Sequence, residues 1–322
     1  MRLTIIPPVI DGESAAAHLL RAFDVNGEPW SRERLRTAGH SMSDILQGRA
    51  AGPLADRLGR GEDAFRGWTP TEITKKKVVI ADEVVHRDDW MTNVRRWCPC
   101  CWQDDLRRTP SGRHAHWNIH RRFWWDVAAV GTCPLHHVRL EGSCPICRTG
   151  VTWEAGSLTR CRNGHSLLAC DGARVPPATT LADAYVVGRL GGMARTSVPL
   201  LDGLTLAEAC DAMERFGVAL LGGADGALSK FPAERHPEVF SAGLAAARDW
   251  PHAFDALLDG MARADHVGLG AWGAEQVYGY LYLWAKRLPA GASGDAVRAA
   301  LYAHHAGRGP VHKTSVVIRH AD

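Results

Sequence analysis

Thr132-Cys133-Pro134-Leu135-His136-His137, followed by Ser143-Cys144-Pro145-Ile146-Cys147, is the stretch on which the fold turns. A pair of ligand-capable side chains with two residues between them lets a tight turn aim both at one tetrahedral ion, sulfur at about 2.3 Å and imidazole nitrogen at about 2.0–2.1 Å. Upstream, Cys98-Pro99-Cys100-Cys101 offers the same spacing, and downstream Cys161-Arg162-Asn163-Gly164-His165 offers a looser version. The four pairs supply eight ligands, which closes two four-coordinate sites. The simplest assignment gives Cys98, Cys101, Cys133 and His136 to one zinc ion, and Cys144, Cys147, Cys161 and His165 to a second. Cys100 competes with Cys101, and His137 with His136; spacing favours Cys101 and His136. Cys170 stands in reserve at the second site should His165 point away.

Such ions are structural. Eight protein ligands leave no coordination position for water, and His-Glu-x-x-His is absent from the sequence. The zinc-deaminase pattern also fails, because no His-x-Glu precedes Pro99-Cys100 and Trp102-Gln103 follow Cys101. There is no Gly-x-x-x-x-Gly-Lys-Ser/Thr loop for ATP phosphates and no Gly-x-Ser-x-Gly elbow. No acidic triad stands out as a nuclease centre. The chain reads as a binding protein with no catalytic residues, not as an enzyme.

The rest of the composition frames that module. With 46% hydrophobic and 23% charged residues over 322, the chain can bury ordinary globular cores in two or three domains. A net charge of +3 is too small to argue for nucleic acid by itself. The start, Met1-Arg2-Leu3-Thr4-Ile5-Ile6-Pro7-Pro8, lacks the apolar run of a signal peptide, and nothing approaches a membrane span. A cytoplasmic address is expected. There the nine cysteines stay reduced, so paired spacings favour metal over disulfides.

The expected architecture is mainly α with small zinc-ribbon-like elements: an N-terminal helix-turn-helix-like unit, a central double zinc module and a C-terminal helical domain. Residues 1–70 form the first region. Ala15, Leu19, Leu20 and Phe23 recur at helical spacing behind Ser14 as N-cap, and a second short helix is expected from Ser31. Gly39, Gly48, Gly52 and Pro53 punctuate the rest of this region, which suits a helix-turn-helix-like unit or an ordinary bundle. Residues 71–95 are a connector carrying Lys75-Lys76-Lys77 and a strand at Val78-Val79-Ile80. The double zinc module spans 96–172, and Arg174-Val175-Pro176-Pro177 reads as a linker. In 173–322, Thr205-Leu206-Ala207-Glu208 looks like a capping box, with helices expected over 239–247, 253–261, 274–288 and 296–304.

From just before the first ligand pair up to the second runs a mixture of arginine (Arg95, Arg96, Arg107, Arg108, Arg113, Arg121, Arg122) and tryptophan (Trp97, Trp102, Trp117, Trp124, Trp125), set against Asp104 and Asp105. The tryptophans are expected to pack the small core of a zinc module. Arg107, Arg108, Arg121 and Arg122 are the candidates for a nucleic-acid or acidic partner surface, since guanidinium groups grip phosphate and carboxylate bidentately.

The order Arg96-Trp97-Cys98-Pro99-Cys100-Cys101, Trp117 to Trp125, Cys133-Pro134-Leu135-His136 and Cys144-Pro145-Ile146-Cys147 resembles the TniQ family of transposon proteins. Gly12-Glu13-Ser14 resembles that family's lead into its first helix, and Trp250-Pro251 a segment found in its members. The resemblance is good over roughly residues 5–170 and looser beyond. Two departures stand out: Cys161-x-x-x-His165 where the family more often has Cys-x-x-Cys, and Arg148 where a glycine commonly follows Cys147. The resemblance implies a non-catalytic target-selection adaptor, linking a target-recognition element to the transposon's AAA+ ATPase. That element is DNA in some systems and a guide-RNA surveillance complex in others, as in CRISPR-associated transposons, with the adaptor in some cases a homodimer. The competing reading of the same zinc, helices and arginines is a stand-alone helix-turn-helix and zinc-ribbon transcription regulator; a nuclease comes third.

Overall fold

The structure, a computed structural model, describes residues 3–28, 39–61, 63–153, 157–222, 226–263 and 273–318, with side chains as far as residue 307. The chain divides into two compact units, Met1–Arg195 and Thr196–Asp322, and each is taken by itself.

In the first unit, α1 (Ala15–Val25) is capped by Ser14, whose hydroxyl oxygen accepts from the Ala17 amide at 3.4 Å. Every residue of this helix is buried, including His18, Arg21 and Asp24. A helix buried on all sides needs partners for its charges. Glu13 supplies them: its carboxylate accepts from Arg21 Nε at 2.7 Å and lies 3.0 Å from His18 Nδ1. Arg21 also donates to the backbone oxygens of Pro8 and Trp117, so one guanidinium ties the chain start to the central segment. Two short helices come after it, α2 (Met42–Leu46), capped by Ser41, and α3 (Ala51–Arg57). The helix expected from Ser31 lies outside the described residues.

A three-stranded antiparallel meander comes next: β1 (Thr71–Thr74), β2 (Lys77–Ile80) and β3 (Glu83–His86). The β2–β3 turn places both Ala81 and Asp82 at positive φ, the geometry that matches the twist of the flanking strands. Val78, Ile80 and Val85 face inward, whereas β1 is exposed along its whole length. The expected strand at 78–80 is therefore the middle strand of a sheet. Its neighbours carry too little apolar alternation to stand out.

The central segment is built on α4 (Pro99–Arg107) and a minimal hairpin of β4 (Thr132–Cys133) and β5 (Val138–Arg139). Trp97 stacks on Trp102 at 5.5 Å, Trp102 meets Trp125 edge-on at 6.1 Å, and Trp124 meets Trp125 at 5.7 Å. All four rings are buried, so these tryptophans are the core. The segment 174–177, expected as a linker, is stitched in place: Arg174 bridges Val138, and Val175 donates to the His137 carbonyl at 2.9 Å. Pro176 is extended and Pro177 opens the short 3-10 turn Pro177–Thr180, where its missing N–H costs nothing. Beyond it, α5 (Leu181–Arg189) also belongs to this unit. Its buried Asp183 accepts from the Gly131 and Thr132 amides, while burial raises its carboxyl to about 7.

The second unit is helical: α6 (Pro199–Asp202), α7 (Leu206–Gly222), α8 (His236–Arg248), α9 (His252–Arg263), α10 (Ala274–Ala285) and α11 (Ala292–Ile318). The capping box is present: Thr205 N donates to Glu208 at 3.0 Å, and Glu208 N to the Thr205 hydroxyl at 3.4 Å. Helix α8 starts at His236, earlier than expected, because Pro237 sits in the first turn where its missing N–H costs nothing. Trp250 packs on Phe254 at 4.9 Å and Phe254 on Phe216 at 5.1 Å, so the Trp-Pro turn delivers aromatic packing to α7.

Helices α7 and α8 approach through glycines. A Cβ on Gly217 would overlap the Val239 carbonyl, and one on Gly243 the Met213 carbonyl. Backbone cannot step aside as a flexible side chain can. Gly243→Ala is therefore expected to cost about 1–3 kcal/mol through overpacking. An unchanged midpoint in thermal or urea unfolding would contradict this crossing.

Candidate metal centres

Cys98 occupies the N-cap of α4, its sulfur accepting from the Cys101 amide at 3.4 Å, and Pro99 fixes the first turn. One helical turn thus presents Cys98 and Cys101 together. Opposite, the chain leaves β4 at Cys133, folds back so that the His136 and His137 amides both donate to the Cys133 carbonyl, and re-enters the hairpin at Val138. His137 takes positive φ to make that return, and its ring bonds Thr180 at 3.0 Å. His136 is left facing the sulfurs.

The resulting distances fit a tetrahedral ion. His136 Nδ1 lies 3.6 Å from Cys98 Sγ, 3.4 Å from Cys101 Sγ and 3.5 Å from Cys133 Sγ, and Cys101 and Cys133 are 3.7 Å apart. Zinc–ligand bonds of about 2.3 and 2.05 Å at tetrahedral angles imply edges of about 3.8 Å between sulfurs and about 3.6 Å from sulfur to nitrogen. Without a cation the cluster is a poor home for several thiolates: hydrogen bonds to Cys133 and Cys98, with burial, push the Cys101 thiol far up. A divalent cation resolves that conflict.

Asp104, one turn along α4, lies 2.9 Å from His136 Nε2 and also pairs with Arg107. A carboxylate there holds the proton on Nε2, leaving the Nδ1 lone pair for metal. Sequence alone presents Asp104 only as a counter-charge to the arginines, because its distance along the chain from His136 hides the pairing.

The second cluster repeats the device. Arg148 N donates to the Cys144 carbonyl at 2.9 Å and Arg148 takes positive φ, as His137 does at the first site. An arginine where glycine would be easier is thus accommodated with the turn intact. Gly164, also at positive φ, closes the turn from Cys161 to His165. Cys147 Sγ lies 3.9 Å from Cys161 Sγ, and His165 Nδ1 lies 3.7 Å from Cys161 Sγ. The Cys147 thiol is lowered to about 5 by hydrogen bonds with Thr149, with His165 and Asn163 adding to the effect.

Both expected quartets, Cys98–Cys101–Cys133–His136 and Cys144–Cys147–Cys161–His165, thus come together with all ligand atoms within 4.8 Å of one another. They are able to hold two metal ions. The competing ligands stand apart: Cys100 points to the Asp171 carbonyl at 3.8 Å, and Cys170 lies outside the second quartet. None of the nine cysteines is in a disulfide.

The arginine surface needs correction. Arg107 and Arg108 are exposed, but Arg121 is 1% exposed, paired with Asp126 at 2.6 and 3.0 Å and packed over Trp153 at 4.4 Å. Arg122 is mostly buried, bidentate to Asp105 at 2.6 and 2.8 Å. Neither presents a surface. Asp126, which spacing does not single out as a partner for the arginine run, takes one of these charges, and Asp105 takes the other. Arg121→Glu is accordingly expected to destabilise the first unit by about 3–5 kcal/mol, as uncompensated buried charge does. Arg107→Glu should leave the unfolding midpoint nearly unchanged, and equal effects in urea titrations would contradict the difference in burial.

Fold and sites together define a class: a mainly α-helical protein whose first unit is organised around paired Cys/His clusters. Residues 4–140 match the model of the TniQ family, a family of transposition-associated target-selection proteins. The match includes all four residues of the first cluster and stops short of the second. No curated protein matches the chain.

Proposed function

We propose that the chain is a non-catalytic transposition adaptor, holding two structural zinc ions and joining a target-recognition element to a AAA+ ATPase assembled on DNA. The observation that carries this reading is the closed Cys3His geometry of the first cluster inside the family-matched segment. A four-ligand site leaves no position for a reacting water, so the metal's contribution is rigidity. Cys98, Cys101, Cys133 and His136 hold one ion, and Cys144, Cys147, Cys161 and His165 the other. Asp104 orients His136. A surface fixed by metal meets its partner without a large ordering cost. Arg107, paired with Asp104 in the last turn of α4, and Arg108 just past it are exposed charged groups of the module placed to meet that partner or DNA. No described helix is long and apolar enough to cross a membrane.

The test is a pull-down of metal-loaded protein with a transposon AAA+ ATPase, with and without DNA and nucleotide. Association that depends on DNA or nucleotide is expected, with no ATP or DNA hydrolysis by the adaptor alone. No association under any condition would count against the role.

A further inference from the structure

The β1–β2 hairpin carries Lys75 and Lys76 at its tip and Lys77 at the start of β2, all three exposed. None has an acidic partner among the described residues, whereas the neighbouring cations are neutralised. Arg49 pairs with Asp44 and Glu72, Arg87 with Glu72, and Arg66 with Asp63. Uncompensated positive charge on this face is therefore concentrated at the hairpin tip.

The tip is also ordered. Thr74 Oγ1 accepts from the Lys76 and Lys77 amides at 3.2 and 3.1 Å, and Arg87 N donates to the Lys76 carbonyl at 2.9 Å. Behind it, Val78 and Ile80 are buried, and Trp90, just after β3, donates to the Leu46 carbonyl. Strand β1 is exposed throughout, with Ile73 at 53%. Strand β1 and the tip bury little of themselves and contribute little to the core, yet they are held in place. A lysine run meant only for solubility needs no such turn. An apolar residue left in water beside cations is the mixture used by arms that lie against a nucleic-acid groove.

We infer that the β1–β2 hairpin is a duplex-DNA-binding arm whose Lys75, Lys76 and Lys77 contact the phosphate backbone. Such binding is independent of sequence and strongly dependent on salt, because each neutralised phosphate releases counterions. It goes beyond the adaptor reading, which stands or falls on association with the ATPase.

The test uses the metal-loaded full chain and a labelled mixed-sequence duplex, with affinity followed across a salt series. In the Lys75→Ala/Lys76→Ala/Lys77→Ala variant the slope of log K against log salt should shrink by about 0.9 for each phosphate no longer neutralised, so by roughly 2 to 3. Affinity at low salt should fall roughly tenfold or more. Metal content and unfolding midpoint should stay those of the parent, since the side chains removed are solvent-exposed. Arg107→Ala/Arg108→Ala should leave most of the slope in place. Absence of duplex binding by the parent overturns the inference. So does an unchanged slope in the lysine variant, including the case where it loses RNA or protein binding instead, and so does a slope that vanishes only in the arginine variant.

Discussion

Cys133→Ser is expected to release one metal ion per chain and to unfold the central segment of the first unit. Cys133 is fully buried at the end of β4, 3.7 Å from Cys101 Sγ and 3.5 Å from His136 Nδ1. A serine hydroxyl is a poor ligand for zinc at neutral pH, so three ligands would remain. Structural zinc contributes about 10–16 kcal/mol of apparent binding free energy that becomes folding free energy. Whole domains are stable by only about 5–15 kcal/mol. The elements around the site are a nine-residue helix and two-residue strands, which do not persist alone. Their tryptophans stack directly behind the ligands: Trp97 and Trp102 flank Cys98 and Cys101 in sequence and are buried with them. Cys100→Ser and Cys210→Ser should retain the full metal content. Those residues contribute to neither quartet. Elemental analysis with circular dichroism decides between the outcomes, and a fully metallated Cys133→Ser protein with an unshifted transition would overturn the ligand assignment.

Glu13→Gln should be among the most damaging single changes away from the metal clusters. Burial alone would push the Glu13 carboxyl up, yet the Arg21 and His18 charges beside it hold it down at about 2, against an ordinary 4.5. Removing the carboxylate leaves Arg21 buried against a neutral amide, with an expected cost of about 3–5 kcal/mol. The same group has a pH signature. Its folded-state value is depressed, so the unfolded chain binds more protons between the two values. The stabilisation is present above about pH 4.5 and is lost as pH falls toward about 2, amounting to about 3 kcal/mol. Acid also protonates thiolate ligands, so the informative quantity is the difference between parent and variant. Urea unfolding at about pH 6 and about pH 3.5 should show the two converging as acidity rises. A gap that stays constant would mean that the Glu13 carboxyl is not held below its unfolded-state value in the folded protein.

Spacing along the chain places correctly those residues that lie within its reach. Ligand pairs a helical turn or a tight turn apart are local features, so Cys101 over Cys100 and His136 over His137 follow from reach alone. The Ser14 cap and the Thr205–Glu208 capping box are local in the same sense. The features that escape it are non-local. Asp104 meets His136 across the hairpin, and Arg121 is buried by Asp126 together with Trp153. Glu13 reads in sequence as part of a family motif, but its physical role lies with Arg21, which in turn grips the Trp117 carbonyl far along the chain. Strand β1 escapes for a different reason: exposed on both faces, it carries no alternation to read.

Metal quantification combined with zinc-edge X-ray absorption, on full-length protein purified without added metal, probes the two quartets together. Two zinc ions per chain are expected, each in a shell averaging three sulfurs at about 2.3 Å and one nitrogen at about 2.0–2.1 Å. Protein that is folded with no zinc, or whose zinc shell is dominated by oxygen, would contradict the assignment of Cys98, Cys101, Cys133, His136, Cys144, Cys147, Cys161 and His165 as its ligands.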